Sequence, residues 1–127
     1  MAKRVKTIDF EISFYEGVVQ HSPDFVEALI NLGDLYTKRG DYEKGLQVDE
    51  RLYQLAPQDP VVLYNLACSY SLLNQIDKAY RTVKKAVHCG YNDIKFLESD
   101  QDLNNLRQDD RFKRFLERMK KDQIQVS

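Results

Sequence analysis

VEALINLGDLYTKRGDYEKGLQVDERLYQLAPQD, from Val26 to Asp59, decides the fold, because the next stretch repeats its layout. Leu29 maps to Leu63, Asn31 to Asn65, Leu32 to Leu66, Tyr36 to Tyr70, Lys44 to Lys78 and Asp59 to Asp93, each pair 34 residues apart. A fixed period of this size marks a solenoid of helix–turn–helix units. In the first unit, apolar residues at helical spacing (Leu29, Leu32, Leu35, Tyr36) predict one helix over about Pro23–Lys38. Ser22-Pro23-Asp24 reads as its start: a cap, a proline at the first helical position and an acid at the positive end of the dipole. Gly40 can end that helix in a left-handed conformation, and Asp41 can cap the next. The second helix, about Tyr42–Leu55, presents Leu46, Leu52, Tyr53 and Leu55. Asp59-Pro60 then repeats the cap-plus-proline signal.

The second unit reads the same way. Leu63, Leu66, Tyr70 and Leu73 line its first helix, with Ala67 where the first unit has Gly33, a small residue at a helix crossing. Asn74 stands in for Gly40, as the next best residue for a left-handed turn. Ile76, Ala79, Tyr80, Val83, Ala86 and Val87 form the second amphipathic helix, and Gly90 stops it. Beyond Gly90 the period fails. Short segments at Asp93–Ser99 and Asp102–Arg107, and a last helix over Asp110–Lys121 with Phe112, Phe115, Leu116 and Met119 on one face, read as the atypical end a solenoid needs to cover its last apolar face. Residues 122–127, DQIQVS, read as a loose tail.

At the other end, residues 1–6 read as an arm, too short to make a helix of their own. From about Ile8 to His21 there are two apolar stripes: Ile8, Ile12, Tyr15 and Val19, and beside them Phe10, Phe14 and Val18. The first can pack on the following helix. The second has no partner within its own unit, which makes Phe10, Phe14 and Val18 a candidate homodimer face.

The whole chain fits one domain. Its 127 residues are 43% hydrophobic and 31% charged, a globular composition, and five Gly with three Pro are few for a turn-rich all-β fold. A net charge of −1 gives no global field toward nucleic acid or an anionic membrane. No apolar run approaches the ~20 residues of a membrane span, and Asp9 and Glu11 interrupt any signal-peptide core; the expected compartment is the cytoplasm. Cys68 and Cys89 fit no metal or redox spacing. His21 and His88 end helices, where a cation complements the dipole. No phosphate loop and no local catalytic constellation is present, so no catalytic residue, metal or cofactor is expected.

The quoted residues resemble the tetratricopeptide-repeat family: Leu29-x2-Leu32-Gly33-x2-Tyr36 with Pro57, then Leu63-x2-Leu66-Ala67-x2-Tyr70 with Ala79-x3-Val83. Residues 8–22 resemble the second half of a further repeat, 23–59 a first full repeat, 60–91 a second, and 92–121 a module that closes some bacterial arrays. The resemblance implies an all-α, right-handed solenoid of antiparallel helix pairs acting as a non-catalytic protein-interaction scaffold. Two departures stand out. Gly45 replaces an expected alanine, at a cost of about 1 kcal/mol in helix propensity. Asp49 replaces an aromatic, and is expected to be half-buried and bonded to a hydroxyl such as that of Tyr64 or Tyr70, or else rotated out to water.

By position in the family, the peptide-binding groove would comprise Glu27, Ile30, Asp34, Thr37 and Lys38 from the first unit, and Val61, Tyr64, Asn65, Cys68, Ser71 and Leu72 from the second. Ile30, Tyr64 and Leu72 are not required by the repeat pattern, which suggests an apolar groove, unless the C-terminal segment folds back over them. One subfamily clamps a terminal carboxylate; Asn65 matches the clamp's Asn on the second groove helix, but Ile30 and Asp34 stand at its positions on the first, and Asp34 would repel that charge. A further alternative is nucleic-acid or acidic-partner binding by the basic last helix (Arg111, Lys113, Arg114, Arg118, Lys120, Lys121), against which stands its reading as a solvated face.

Overall fold

The computed structural model describes the backbone of residues 2–126 and the side chains of residues 7–123. Among these the regular structure is all helical: α1 (Ala2–His21), α2 (Val26–Arg39), α3 (Tyr42–Leu55), α4 (Pro60–Leu72), α5 (Ile76–His88), α6 (Ile94–Ser99), a 3-10 turn (Gln101–Leu103), α7 (Asn104–Arg107) and α8 (Asp110–Val126). From α1 to α5 each helix packs on the next in sequence; the 3-10 turn and α7 fold back on α4, and α8 packs on α6 and α7. This is the all-α helical-repeat solenoid that the period predicts.

Three helix ends share one geometry. Gly40 (φ 91°), Asn74 (φ 59°) and Gly90 (φ 117°) are left-handed. In each case the next residue's N–H donates to the carbonyl five residues back: Asp41 to Tyr36 (2.8 Å), Gln75 to Tyr70 (2.8 Å) and Tyr91 to Ala86 (2.9 Å). Asp59 caps α4 as its position suggests, its carboxylate accepting from the N–H of Val61 (2.9 Å) and Val62 (3.2 Å), with Pro60 at the first position.

Other expected boundaries need correction. Ser22-Pro23-Asp24 does not open α2. The Phe25 N–H donates to the Ser22 carbonyl at 3.1 Å, so Pro23 and Asp24 form the centre of a turn and the helix begins at Val26. Proline's fixed φ suits the second position of a turn as well as the first position of a helix. Asp24 is drawn out of any capping role by an ion pair with Arg51 of α3. Asp41 likewise makes no cap bond and pairs with Arg39 instead. The expected arm belongs to α1, which starts at Ala2, and residues 122–126 of the expected tail continue α8; Ser127 and Met1 lie outside the described residues.

The core falls into three clusters along the array. Ile12 of α1 packs with Leu32, Leu35 and Tyr36; Leu29, Leu52 and Val62 join α2, α3 and α4; and Leu63, Ala67, Val83 and Ala86 meet Leu97, Leu103, Leu106 and Phe112 from the C-terminal segment. The crossing of α2 and α3 is unusually close. A Cβ on Gly33 would lie 3.1 Å from Asp49 Oδ1 and 3.3 Å from Val48 Cγ1; one on Gly45 would lie 3.0 Å from Thr37 Oγ1. The glycine that departs from the family pattern at position 45 thus matches a second glycine across the interface. Gly33→Leu is expected to destabilise the fold by ~1–3 kcal/mol through overpacking. Urea unfolding followed by circular dichroism measures it, with the native helical signal retained at zero denaturant.

Candidate functional site

The surface that collects first helices of successive units carries a cavity of about 180 Å³. It is lined by Gly33, Asp34 and Thr37 of α2, Asp49 of α3, Tyr64, Asn65, Cys68 and Ser69 of α4, and Phe96, Asp100 and Asp102 of the C-terminal segment. The expected groove residues divide on this geometry. Asp34, Thr37, Tyr64, Asn65 and Cys68 line the cavity; Glu27, Ile30, Lys38, Val61, Ser71 and Leu72 do not.

Three of the expected contact residues are buried. Tyr64 is 5% exposed. Its ring stacks on Tyr91 at 4.4 Å and 2° and leans on Phe96 at 5.7 Å, while its hydroxyl donates to the Asp100 carboxylate. Ser71 is fully buried: its Oγ accepts the Leu106 N–H at 3.1 Å and its carbonyl accepts from Asn105 Nδ2 at 2.9 Å. Cys68 is buried beneath the same segment, with Sγ 3.9 Å from Asp100. The C-terminal segment folds back over these positions, because α4 is apolar on a side that α3 and α5 leave uncovered. Ile30 is half-buried against the Leu29–Leu52–Val62 cluster, so the repeat does use it for packing. Leu72 is half-buried too, while Glu27, Asp34, Lys38 and Val61 remain exposed.

Electrostatics at the site come from carboxylates. Asp49 is 5% exposed and accepts a hydrogen bond from Ser69 Oγ, not from the expected tyrosine hydroxyls. Tyr64 instead turns to Asp100, and Tyr70 lies 3.5 Å from Glu50. Burial pushes the Asp49 carboxyl up to about 6; the Ser69 bond opposes this and the nearby Asp34 charge adds to it. Asp102 is raised by burial, and further by Asp100 and Asp34. Burial, before the neighbouring Asp100, pushes the Cys68 thiol well up, so it is not a thiolate nucleophile. The Tyr64 hydroxyl is raised for the same first reason. Among the described residues no group of three His, Cys, Asp or Glu is placed to hold a metal ion, and no helix is long and apolar enough to cross a membrane.

The other two candidate surfaces are also placed. On α1, Phe10 is 73% and Phe14 58% exposed, and Val18 is half-buried. On α8, Arg111 pairs with Asp77 (2.6 Å) and Asp109 (2.9 Å), and Lys120 pairs with Glu98 (2.9 Å), leaving Lys113, Arg114, Arg118 and Lys121 as the exposed cations there.

Asp49, Ser69, Phe96, Asp100 and Asp102 belong to the cavity without having been expected in it. Asp49 did carry a signal, as an acid at an aromatic position. The others lie where the period is silent, or face the site only because the C-terminal segment folds back.

Residues 28–61 and 61–87 match sequence profiles of the tetratricopeptide repeat. The chain is 37% identical over 75 residues to a chloroplastic protein of Arabidopsis thaliana, a match covering 57% of this chain and 22% of that protein. It is 28% identical over 99 residues to the peroxisomal targeting signal receptor of Pichia angusta, covering 77% of this chain and 17% of the receptor. The same receptor of Komagataella phaffii is 30% identical over 80 residues, covering 63% and 14%. The matched stretch is therefore about a fifth or less of each relative's length. All three relatives are eukaryotic, and they lend no support to the bacterial type expected from the C-terminal segment.

The raised Asp49 carboxyl has a signed consequence for stability. The folded state holds this proton more tightly than the unfolded chain, so the group favours folding below pH 3.8 and loses that contribution as pH rises through about 6. The gap corresponds to roughly 3 kcal/mol. Asp49→Asn is expected to raise unfolding free energy at pH 7.5 by up to about that amount and to leave it unchanged near pH 3.5. Paired urea titrations at the two pH values check this.

Proposed function

The chain is a tetratricopeptide-repeat protein, and from that premise we propose that it is a non-catalytic interaction module that takes a peptide or helical segment of a partner on its concave face. The observation that carries this reading is the cavity between α2, α4 and α6. It is rimmed by an aromatic, Phe96, that stays 46% exposed although the segment bearing it is otherwise anchored in the core. A large apolar side chain left open at the mouth of a polar cavity is the usual make-up of a recognition site, an apolar anchor beside a few orienting polar groups. Two relatives are named as targeting signal receptors, which agrees with recognition of a short segment carried by another protein. The acids at the cavity disfavour a partner's terminal carboxylate.

The binding set this reading retains is Asp34, Thr37 and Asn65 from the expected groove, joined by Phe96. Tyr64 and Ile30 serve the core. The test is affinity capture, identification of the captured protein by mass spectrometry, and titration of its binding segment. Phe96→Asp and Asn65→Ala are each expected to weaken binding tenfold or more, with melting temperatures within a few degrees of wild type. Wild-type affinity in both variants would remove the concave face from consideration.

A second reading is favoured by the exposure of Phe10 and Phe14. Fully burying a Phe side chain is worth roughly 1.5–3 kcal/mol, so two on one helix face form an association surface. A two-fold dimer through α1 places the Phe10–Phe14–Val18 stripe against its own copy. Light scattering at high micromolar concentration is expected to show a dimer that Phe10→Glu/Phe14→Glu converts to a folded monomer. A monomeric wild type would exclude this reading.

A further inference from the structure

We propose that the groove between α3 and α5, floored by α4, binds an acidic segment of a partner protein. The side-chain carboxylates of that segment meet Lys78, Arg81 and Lys85, and an apolar residue beside them lies on Tyr53 and Tyr70. This groove shares no lining residue with the concave cavity, so the proposal stands or falls apart from the concave-face reading.

The groove has a volume of about 300 Å³. Leu63 and Leu66 of α4 form its floor, Tyr53 of α3 and Tyr70 of α4 its walls, and the three cations of α5 its rim; no carboxylate lines it. Spacing of i, i+3 and i+7 puts these cations on one face of α5, spread over about 10 Å. None has an acidic partner among the described residues. Lys85 Nζ donates to the neutral Tyr53 hydroxyl at 2.8 Å, and Lys78 Nζ lies 5.7 Å from the centre of the Tyr70 ring. Arg81 makes no hydrogen bond or ion pair among the described residues.

The first unit shows the same positions in neutralised form. Lys85 is the counterpart of Arg51, and Arg51 pairs with Asp24 at the centre of the turn before α2. That turn recurs 34 residues later. The Asp59 N–H donates to the Ala56 carbonyl at 3.2 Å, as the Phe25 N–H does to Ser22 at 3.1 Å, and Pro57 stands where Pro23 stood. Its other central residue is Gln58, so the neutralising acid is missing. Arg81 in turn replaces Gln47, Tyr53 replaces Val19, and Lys78 matches Lys44. One acid is lost and one cation gained at matching positions. Core packing demands neither change, since Asp24, Gln47, Gln58 and Arg81 are all exposed.

The charge and the lining select the occupant together. Cations without counter-charge recognise carboxylates, and the two tyrosine rings between them suit an apolar side chain on the same segment. A long polyanion fits less well. Glu50, 3.5 Å from the Tyr70 hydroxyl, stands beside the groove, and a phosphate backbone running past the three cations would meet it. The net charge of −1 supplies no wider positive field.

The experiment is peptide phage display against the full chain, then fluorescence anisotropy of the selected peptides on wild type and variants. Arg81→Gln/Lys85→Gln removes two cations. Gln58→Asp removes none and restores the acid of the first unit. All three positions are exposed, and circular dichroism verifies the fold. The expected result is a class of peptides enriched in Asp or Glu. Their affinity should fall about tenfold or more in the double variant and about threefold in Gln58→Asp, and stay unchanged in Phe96→Asp. Selection of no acidic peptide, or of acidic peptides that bind the double variant as tightly as wild type, would overturn the proposal. Acidic peptides lost in Phe96→Asp but kept in the double variant would overturn it too, while supporting the concave face as a binding site. So would retention of single-stranded DNA or phosphatidylserine vesicles, sensitive to the same variants, where no acidic peptide is selected; the occupant would then be a polyanion.

Discussion

Helix α4 buries eight of its thirteen residues, Val62, Leu63, Tyr64, Leu66, Ala67, Cys68, Ser69 and Ser71, and a helix so apolar around its circumference must be covered on every side. Neighbouring repeat helices cover two sides. The third falls to the 3-10 turn and α7, which deliver Leu103 and Leu106, both fully buried, and satisfy Ser71 with hydrogen bonds at 2.9 and 3.1 Å. Arg107 then ties the segment to itself through the carbonyls of Leu97 and Asp100 and the side chain of Asn104. The need to bury α4 therefore determines how much of the concave face stays open. What remains is the cavity between α2, Asp49 and Phe96.

The cavity follows from the tight crossing of α2 and α3. Gly33 and Gly45 let the helices approach closely, and the space an aromatic would fill at position 49 holds a smaller acid instead. An apolar side chain there would have sealed the floor. The acid leaves polar space and meets the desolvation cost in part through Ser69. The unfavourable ionisation of Asp49 and the openness of the site thus have one origin.

The parts of this structure legible in the sequence are those governed by local backbone chemistry and by period. Leu29, Leu32, Leu63 and Leu66 are core as the 34-residue repeat requires, and the left-handed corners at Gly40, Asn74 and Gly90 lie where residue type places them. Errors arise where two local structures share one signature, as with Ser22-Pro23-Asp24, whose composition serves a turn as well as a cap. They arise again where a side chain's environment is set by residues far along the chain. Tyr64 looks like a groove residue within its own repeat and becomes core only through Asp100, 36 positions later. The partner of Asp49 differs from the expected one because Ser69 and the two tyrosines lie on the same helix, and only the rotation of that helix selects among them.

The Ser71–Leu106 bond also bears on how such an array can lengthen. It fixes the terminal segment to features of α4 that its counterpart α2 lacks, since position 37 carries a threonine that bonds its own helix at Gly33. A copy of the first unit placed after Gly90 would separate the segment from the helix it fits, with Thr37 standing where Ser71 accepts the Leu106 N–H. One placed between Leu55 and Pro60 would keep that junction whole and meet a repeat on either side. The segment thus selects the unit it adjoins, one that carries the hydrogen-bonding features of α4.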